Sequence, residues 1–382
     1  MLRLKFKYKI LLVIFFLVLI TSLWPKNIYL LVLFSFLTYV ILPTKKLWDP
    51  TAIVLFFFSS FYLMMTVMTN QYGSGFVLLS MLMAPVGFYR FGRWLMHCFH
   101  EEKARQKLLI AIAVCYLLPL FILTIKDVAL VGIVNLSRVM LGDADGGDSL
   151  AATLYGLMAS VGIACISALF TKGQNFWLRL FYIVVALLSI FVVIHLVNRT
   201  GLVVCVCCLL VALFFSTKMK LKKIIPIVFF LGLLTAGLAK TGIISEEIIS
   251  AYQGREMSAA SDVSQLGGRS DIWLDAVHQL ATHPFGWERV RYAHNLWLDI
   301  ARIGGWFALL LFLLVTFNWF KSCLRLTRKM LTPFVLIVLS LNAAMFLSSC
   351  VEPVIEGSML FFSLLTMIWG VTANLSKEIE CK

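Results

Sequence analysis

Residues 10–20 are ILLVIFFLVLI and residues 309–315 are LLLFLLV. Neither run alternates apolar with polar residues, as the strands of a membrane β-barrel do. Both runs belong to longer apolar stretches, and a helix needs about 20 apolar residues to cross a bilayer. They therefore predict an all-α fold whose helices span a membrane.

The composition of the whole chain agrees with this prediction. Of its 382 residues, 61% are hydrophobic and 14% are charged, and the mean hydropathy is +0.94. Soluble domains contain about 45–50% apolar and about 25% charged residues. A disordered chain would combine low hydrophobicity with high net charge. The composition therefore excludes both an ordinary soluble enzyme and a disordered protein.

The apolar stretches predict a polytopic bundle of about twelve transmembrane helices. They lie near residues 10–24, 27–43, 51–69, 75–93, 108–125, 150–170, 179–197, 201–217, 224–240, 301–320, 331–350 and 358–374. Basic residues precede the first stretch as in a signal peptide, but no small-residue cleavage site follows, so we expect an uncleaved first span. The predicted organisation is nine helices within 1–240, one large loop over 241–300 that contains short helices, and three helices with a tail within 301–382.

The lysines and arginines predict how this bundle is oriented. If the N-terminus is cytoplasmic, 23 of the 33 basic residues fall on the inner side of the membrane and 10 on the outer side. This is the bias of the positive-inside rule, and it predicts two cytoplasmic termini and an external 241–300 loop. The net charge of +14 then needs no nucleic-acid partner to explain it.

The outer basic residues are mostly arginines, seven of the ten. Lysine suffices to orient a helix, whereas arginine is suited to bidentate binding of phosphate or carboxylate groups. The excess is either an accident of small numbers or the sign of an anion site on the outer face.

The sequence gives little evidence for a metal or a cofactor. Most of the nine cysteines lie inside predicted spans, where cysteine packs as a small apolar residue. The outer loop over 126–149 contains Asp143 and Asp145, an Asp-x-Asp pair that could hold a divalent cation. However, the spacing of an EF-hand is absent, and Gly/Asp clusters are common in turns. We expect neither a metal nor a cofactor, with the Asp143/Asp145 loop as the alternative.

The 241–300 loop contains a predicted amphipathic helix. Ser270 is a suitable N-cap, and Pro284 ends the pattern. The apolar residues that recur at helical spacing are Ile272, Trp273, Ala276, Val277, Leu280 and Ala281. Such a helix lies on the membrane surface or against the bundle. Gly267-Gly268-Arg269 stands just before it, and this is either a simple turn or a phosphate site at a helix N-terminus.

Two further outer residues are candidates for function. His294, with Asn295, opens the next helical stretch, where the helix dipole favours a neutral imidazole that can act as a general base. The alternative is an interfacial histidine that hydrogen-bonds a neighbouring loop. Arg199 lies in the short turn Asn198-Arg199-Thr200-Gly201, where it either serves a function near the membrane boundary or only extends its charge to water.

In this order, the candidate segments resemble motifs of the bacterial O-antigen ligase and polymerase superfamily. Asn198–Gly201 is similar to its Ser-Arg-x-Gly turn. Gly268-Arg269, Trp273 and His283-Pro284-Phe285-Gly286 are similar to its Gly-Arg…Trp…His-Pro-x-x-Gly stretch, and His294-Asn295 with Gly305 is similar to its His-Asn-x9-Gly motif. The resemblance covers about 198–308. It departs at Asn198, where Ser is usual, and at Ala308, where Gly, Thr or Tyr is typical.

The resemblance implies a metal-independent, inverting glycosyltransferase of the bacterial inner membrane. Its donor would be a glycan on undecaprenyl diphosphate, used at the periplasmic face. By position in the motifs, Arg199 and Arg269 would bind the diphosphate, and His294 would activate the acceptor hydroxyl. Arginine suits a leaving group that develops negative charge, and an alcohol acceptor requires a base. The secondary candidates for binding phosphate groups, which no motif supports, are Arg289, Arg291 and Arg302.

Several alternative functions remain, and two of them differ in the acceptor of the glycan. A ligase would transfer the glycan to lipid A-core, whereas a polymerase would transfer it to another lipid-linked repeat unit. The motifs do not separate the two, and the single dominant outer loop favours a ligase. A lipid-linked-oligosaccharide transporter and a protein O-glycosylating relative also remain. A transporter is expected to carry charges or broken helices near the bilayer midplane, whereas the charges here cluster at the outer rim.

Overall fold

The computed structural model describes residues 5–24, 26–43, 47–69, 74–140, 151–171, 173–217, 246–258, 269–287, 292–328 and 331–380. Helices account for most of these ranges, and no strand occurs within them. The predicted all-α fold class is therefore confirmed.

Fourteen α-helices can be followed in the described part of the chain. They are α1 (Phe6–Ile20), α2 (Asn27–Ile41), α3 (Pro50–Met68), α4 (Gly75–Cys98), α5 (Glu102–Val131), α6 (Ala151–Ile163), α7 (Phe176–His195), α8 (Arg199–Thr217), α9 (Glu246–Ser258), α10 (Arg269–Thr282), α11 (Leu296–Leu326), α12 (Pro333–Val351), α13 (Val354–Gly357) and α14 (Met359–Glu380). A 3₁₀ helix, Ala164–Phe170, continues α6.

Nine helical segments within the described ranges are long and apolar enough to cross a membrane. They are Pro50–Met68, Gly75–Cys98, Glu102–Val131, Ala152–Phe170, Phe176–His195, Arg199–Ser216, Leu296–Leu326, Pro333–Val351 and Met359–Glu378. Each coincides with a predicted span. The multi-pass membrane character of the chain is therefore confirmed.

The other three predicted spans have different outcomes. α1 and α2 occupy the first two, but each has 15 residues. A helix of that length extends about 22 Å at 1.5 Å per residue, which is shorter than the roughly 30 Å of a bilayer core. The predicted span at 224–240 lies outside the described residues. The number twelve therefore stays a prediction.

The chain divides into two compact units. Unit 1 comprises Met1–Pro119, Trp273–Met330 and Ser349–Lys382, and unit 2 comprises Leu120–Ile272 and Leu331–Ser348. Both the boundary near 120 and the boundary near 272 fall inside a helix, α5 and α10 respectively. Each unit combines segments that are distant in sequence, and the predicted organisation into membrane helices and an outer loop, divided at 240 and 300, stays a prediction.

Unit 1 is built on a close contact between α4 and α14. A Cβ added to Gly92 would collide with the carbonyl of Met367, and a Cβ added to Gly370 would collide with the carbonyl of Tyr89. Small residues that let two backbones approach are typical of helix packing in membranes, where the hydrophobic effect does not drive helices together. These two glycines therefore set how closely the helices pack.

Several basic residues of the predicted cytoplasmic set also have packing partners in unit 1. Arg90 is fully buried, with its guanidinium 5.2 Å from the ring centre of Tyr39 and 5.0 Å from that of Trp48. Arg105 Nη2 lies 2.7 Å from Glu378 Oε2. Cation–π contacts and ion pairs of this kind hold a charge inside a bundle. These arginines therefore contribute to packing, besides any effect on topology.

Candidate functional site

The turn that carries Arg199 lies in unit 2, between α7 and α8. Asn198 caps α8, because its side-chain oxygen accepts a hydrogen bond from the Gly201 N–H at 3.2 Å. Its amide group also donates to the Ala152 carbonyl at 3.3 Å. Asparagine and serine are equally good N-caps. The departure from the usual serine therefore preserves the cap and adds a contact to α6.

Close packing fixes this turn. A Cβ at Gly201 would lie 2.7 Å from Val193 Cγ1, and a Cβ at Gly156 would collide with the Asn198 amide. Val197, which is 1% exposed, adopts the left-handed region with φ 49°. A β-branched residue rarely adopts this conformation, which costs about 1–3 kcal/mol. The surrounding contacts therefore hold a strained backbone two residues before Arg199.

Arg199 is half-buried and makes one hydrogen bond to the described residues, from Nη2 to the Tyr252 carbonyl of α9 at 3.4 Å. A second guanidinium contacts the same turn, because Arg138 Nε donates to the Leu196 carbonyl at 3.4 Å. Arg138 also has a positive φ, 62°. Arg199 in the turn and Arg138 beside it are thus each held by a backbone carbonyl, that of Tyr252 and that of Leu196 respectively.

A buried polar cluster, which the sequence analysis did not identify, supports the turn from the end of α7. His195 Nε2 lies 2.7 Å from Asp127 Oδ2, and His195 Nδ1 lies 2.7 Å from the Ile133 carbonyl. Asn135 donates to the same Asp127 oxygen at 2.6 Å, and its N–H donates to the His195 carbonyl at 2.7 Å. Because a carbonyl only accepts, Nδ1 carries a proton, and one further proton is shared between Nε2 and Asp127.

Arg269 is the first residue of α10, so the predicted amphipathic helix is confirmed and begins one residue before the expected cap Ser270. Ala276 and Leu280 are buried, but Val277, expected on the same apolar face, is 56% exposed. The buried face is therefore narrower than predicted. Gly267 and Gly268 lie outside the described residues, so the predicted phosphate site before this helix stays a prediction.

The segment around Pro284 fills a break in α11, and both belong to unit 1. Gly305 interrupts the helix with φ 60° and ψ −158°. The Trp306 N–H donates to the Pro284 carbonyl at 2.9 Å, and the Trp287 N–H donates to the Arg302 carbonyl at 3.0 Å. Two backbone groups beside the break, the Trp306 N–H and the Arg302 carbonyl, are thus paired with this segment.

Two glycines make this contact possible. A Cβ on Gly305 would collide with the Pro284 carbonyl, and a Cβ on Gly286 would lie 2.7 Å from the Ile303 carbonyl. Both glycines also have a positive φ. Glycine is the residue that adopts this conformation without steric cost. Gly305 of the His-Asn-x9-Gly motif and Gly286, which stands one position earlier than the glycine of the His-Pro-x-x-Gly stretch, are therefore required by one and the same contact.

His294 lies just before α11 and not in its first turn, which corrects the expected position. Asn295 is the N-cap, with φ −151°, and its side-chain oxygen accepts from Trp297 N at 3.1 Å and from Leu298 N at 3.2 Å. The helix therefore begins at Leu296. His294 is half-buried and has φ 51°. Its ring lies 6.5 Å from that of Tyr292.

Arg302 occupies a buried ion-pair cluster. It is 2% exposed, and its Nη2 lies 2.5 Å from Glu356 Oε1 while its Nε lies 3.5 Å from Asp299 Oδ1. The ring of Tyr292 covers the guanidinium at 5.2 Å. The sequence analysis named Arg302 as a phosphate candidate and missed both carboxylates. Asp299 could have been identified, since it lies three residues earlier on the same helix.

The remaining candidates lie outside the described residues. They are Arg289, Arg291, Asp143 and Asp145. Within the described ranges, no group of three or more His, Cys, Asp or Glu side chains could hold a metal ion. Of the residues in described ranges, Arg199 and Arg269 belong to unit 2, and Trp273, His294 and Gly305 belong to unit 1.

Comparisons with known proteins do not assign a family. A scan against protein-family models finds no match, and a search of curated proteins finds none either.

We predict that Gly305→Ala destabilises the protein far more than Gly173→Ala. Both glycines have a similar positive φ, 60° and 71°, but only Gly305 has no room for a Cβ. The matched substitution at Gly173 therefore measures the cost of the backbone conformation alone. Thermal unfolding in detergent compares the two, and equal losses would contradict the importance of the Pro284 contact.

We also predict that Asp127→Ala lowers the free energy of unfolding by about 3–5 kcal/mol, as removal of one partner from a buried pair does. Lys126→Ala, at the adjacent exposed position, should change it little. Denaturant unfolding in detergent provides the measurement. A loss no larger than that of the control would show that the Asp127–His195 pair does not stabilise the turn.

Proposed function

We propose that this chain is a membrane-embedded, inverting glycosyltransferase of the O-antigen ligase type. It transfers a glycan from undecaprenyl diphosphate to lipid A-core at the periplasmic face of the bacterial inner membrane. The observation that carries the proposal is the contact of the Pro284 segment with the Gly305 break, in the first third of the helix that His294 precedes. It gives a structural reason for the glycines at 286 and 305, in two of the resembling segments.

The leaving diphosphate requires positive charge that is not already neutralised. Among the described residues, Arg199 contacts a carbonyl and no carboxylate, whereas Arg302 lies between two carboxylates. An unneutralised guanidinium in a preorganised turn stabilises developing negative charge far better than a paired one. Arg199 therefore suits the diphosphate. The motif assigns Arg269 to the same role, and the pairing of Arg302 disfavours that residue for it.

The acceptor requires a base. The acceptor oxygen attacks the anomeric carbon opposite the diphosphate and forms the new glycosidic bond. The bond from that carbon to the diphosphate breaks, and its electron pair leaves with undecaprenyl diphosphate. His294 takes the hydroxyl proton as the new bond forms. Neither step needs a metal, because arginines neutralise the leaving group.

The break in α11 bears on the transporter alternative. Transporters use broken helices near the bilayer midplane to bind substrate with released backbone groups. Here the break lies at Gly305, in the first third of Leu296–Leu326, and the Pro284 segment already pairs with it. This arrangement favours an enzyme over a transporter.

The proposed topology is tested by labelling with a membrane-impermeant thiol reagent. His278→Cys, at an exposed position of α10, should react in intact spheroplasts, and Lys103→Cys, at an exposed position on the predicted cytoplasmic side, only after lysis. The parent protein gives the background of the native cysteines. Labelling of His278→Cys only after lysis would overturn the periplasmic site.

The proposed roles are tested by transfer from a lipid-linked glycan in nanodiscs with excess chelator. His294→Ala should lower the rate by ~10²–10⁴-fold with little change in donor affinity, because a base acts in the chemical step. Arg199→Lys and Arg269→Lys keep the charge but lose the planar fork, so donor affinity should fall. Arg328→Lys, at an exposed position, is the matched control.

Each outcome of that experiment has a counterpart that contradicts the proposal. Full activity in both Arg→Lys variants would contradict the assignment of the two arginines to the diphosphate. A loss of activity in chelator that magnesium restores would instead support a metal site at Asp143 and Asp145. In a deletion strain, a full-length glycan that accumulates on its lipid carrier supports a ligase. A surface glycan shortened to one repeat unit would instead identify a polymerase.

A further inference from the structure

The backbone of His294 is held in a conformation that it would not adopt alone. Its φ of 51° lies in the left-handed region, which costs a non-glycine residue free energy unless its surroundings hold it there. The side chain of a residue points in a direction set by its backbone. The contacts that impose this φ therefore also determine where the imidazole points.

One carboxylate contacts the residues on both sides of His294, besides the Trp273 indole, which donates to the Ala293 carbonyl, and the Cys350 carbonyl, which accepts from the Asn295 amide. Asp299 Oδ1 accepts the Ala293 N–H at 2.8 Å, and Asp299 Oδ2 accepts the Asn295 N–H at 3.3 Å. The two N–H groups belong to the residues immediately before and after His294. Hydrogen bonds to an ionised carboxylate are shorter and stronger than neutral ones. Asp299 thus brackets His294 from both sides.

Burial makes this bracket rigid and also explains Arg302. Asp299 is 3% exposed, so its charge needs a partner. Arg302 supplies one, with Nε 3.5 Å from Asp299 Oδ1, and is itself fixed by Glu356 at 2.5 Å. The cluster therefore extends from His294 through Asp299 to Arg302 and Glu356.

We propose that Asp299 is a positioning residue for His294, and that Arg302 acts through Asp299 and does not bind a phosphate group. The inference rests on the proposed function, in which His294 is the general base. A base must be held to within about 0.5 Å of its productive position. A displacement of about 1 Å can cost 10²-fold in rate. Asp299 meets this requirement through the backbone, without touching substrate.

A merely structural role makes different predictions. A carboxylate that only stabilises the fold would lower the amount of active protein, and its effect would be independent of His294. A positioning residue affects the rate through His294 alone. In a protein that already lacks the imidazole, its removal should cost nothing further.

The test is a double-mutant cycle on the full chain in nanodiscs, with Asp299→Asn, His294→Ala and the double variant. An asparagine can accept only one of the two N–H groups. We expect Asp299→Asn to lower kcat by ~10²-fold with donor KM nearly unchanged, and the double variant to match His294→Ala. Asp275→Asn, an exposed carboxylate of α10, should leave kcat unchanged. Multiplicative losses in the double variant, or full activity in Asp299→Asn, would overturn the proposal.

A second measurement is independent of catalysis. The rate at which diethyl pyrocarbonate modifies His294, followed by mass spectrometry, should rise several-fold in Asp299→Asn and not in Asp275→Asn. If Asp299→Asn does not fold, Asp299→Glu replaces it in both measurements with the same expectations. If the substitution changes the modification rate but the unsubstituted chain has no transferase activity, the proposed function is refuted and the positioning role stands. If the unsubstituted chain transfers the glycan, and the variant changes neither kcat nor the modification rate, the positioning role alone is refuted.

Discussion

The contact between Pro284 and Trp306 compensates for a helix break that would otherwise be costly in a membrane. Within a bilayer, each unpaired backbone N–H or C=O costs several kcal/mol, so an interrupted helix is tolerated only where protein or water pairs the released groups. Gly305 interrupts α11, and the 284–287 segment supplies the partners. That segment follows α10 and precedes His294. The position of α10 and the start of α11 therefore both depend on this contact.

Strain in the described part of the chain is concentrated near the proposed functional residues. The non-glycine residues with positive φ there are Arg138, Val197 and His294. Arg138 and Val197 lie at the turn that carries Arg199. Buried polar clusters support both regions, with Asp127 and His195 in unit 2 and Asp299 and Arg302 in unit 1. Strained backbone persists only where surrounding contacts over-determine it, and such places are often functional.

Nine of the predicted spans have a sufficiently long and apolar helix in the described part of the chain, because the length of an apolar run is a local property of sequence. The start of α11 was less well predicted, since the helix begins at Leu296 and His294 lies before its first turn. Arg302 could not be interpreted from sequence alone, because its partner Glu356 lies 54 residues away and meets it only in the folded chain. The Asp127–His195 pair was hidden for the same reason, since its members are 68 positions apart in the sequence. The helices and the candidate residues could thus be predicted from sequence, whereas the tertiary structure determines which of the charged side chains form ion pairs.

The pairing of charges also bears on the two requirements of the proposed reaction, which are a site for the diphosphate and a base for the acceptor hydroxyl. A diphosphate-binding arginine must retain its positive charge, and among the described residues the charge of Arg199 has no carboxylate partner. In the cluster near His294, by contrast, the guanidinium of Arg302 contacts two carboxylates, those of Asp299 and Glu356. A guanidinium that two carboxylates already contact attracts a phosphate group less than one without such partners, whereas carboxylates near an imidazole favour its protonated form. The Arg199 turn therefore suits an anion better than the Arg302 cluster does, and that cluster suits the neighbourhood of a base.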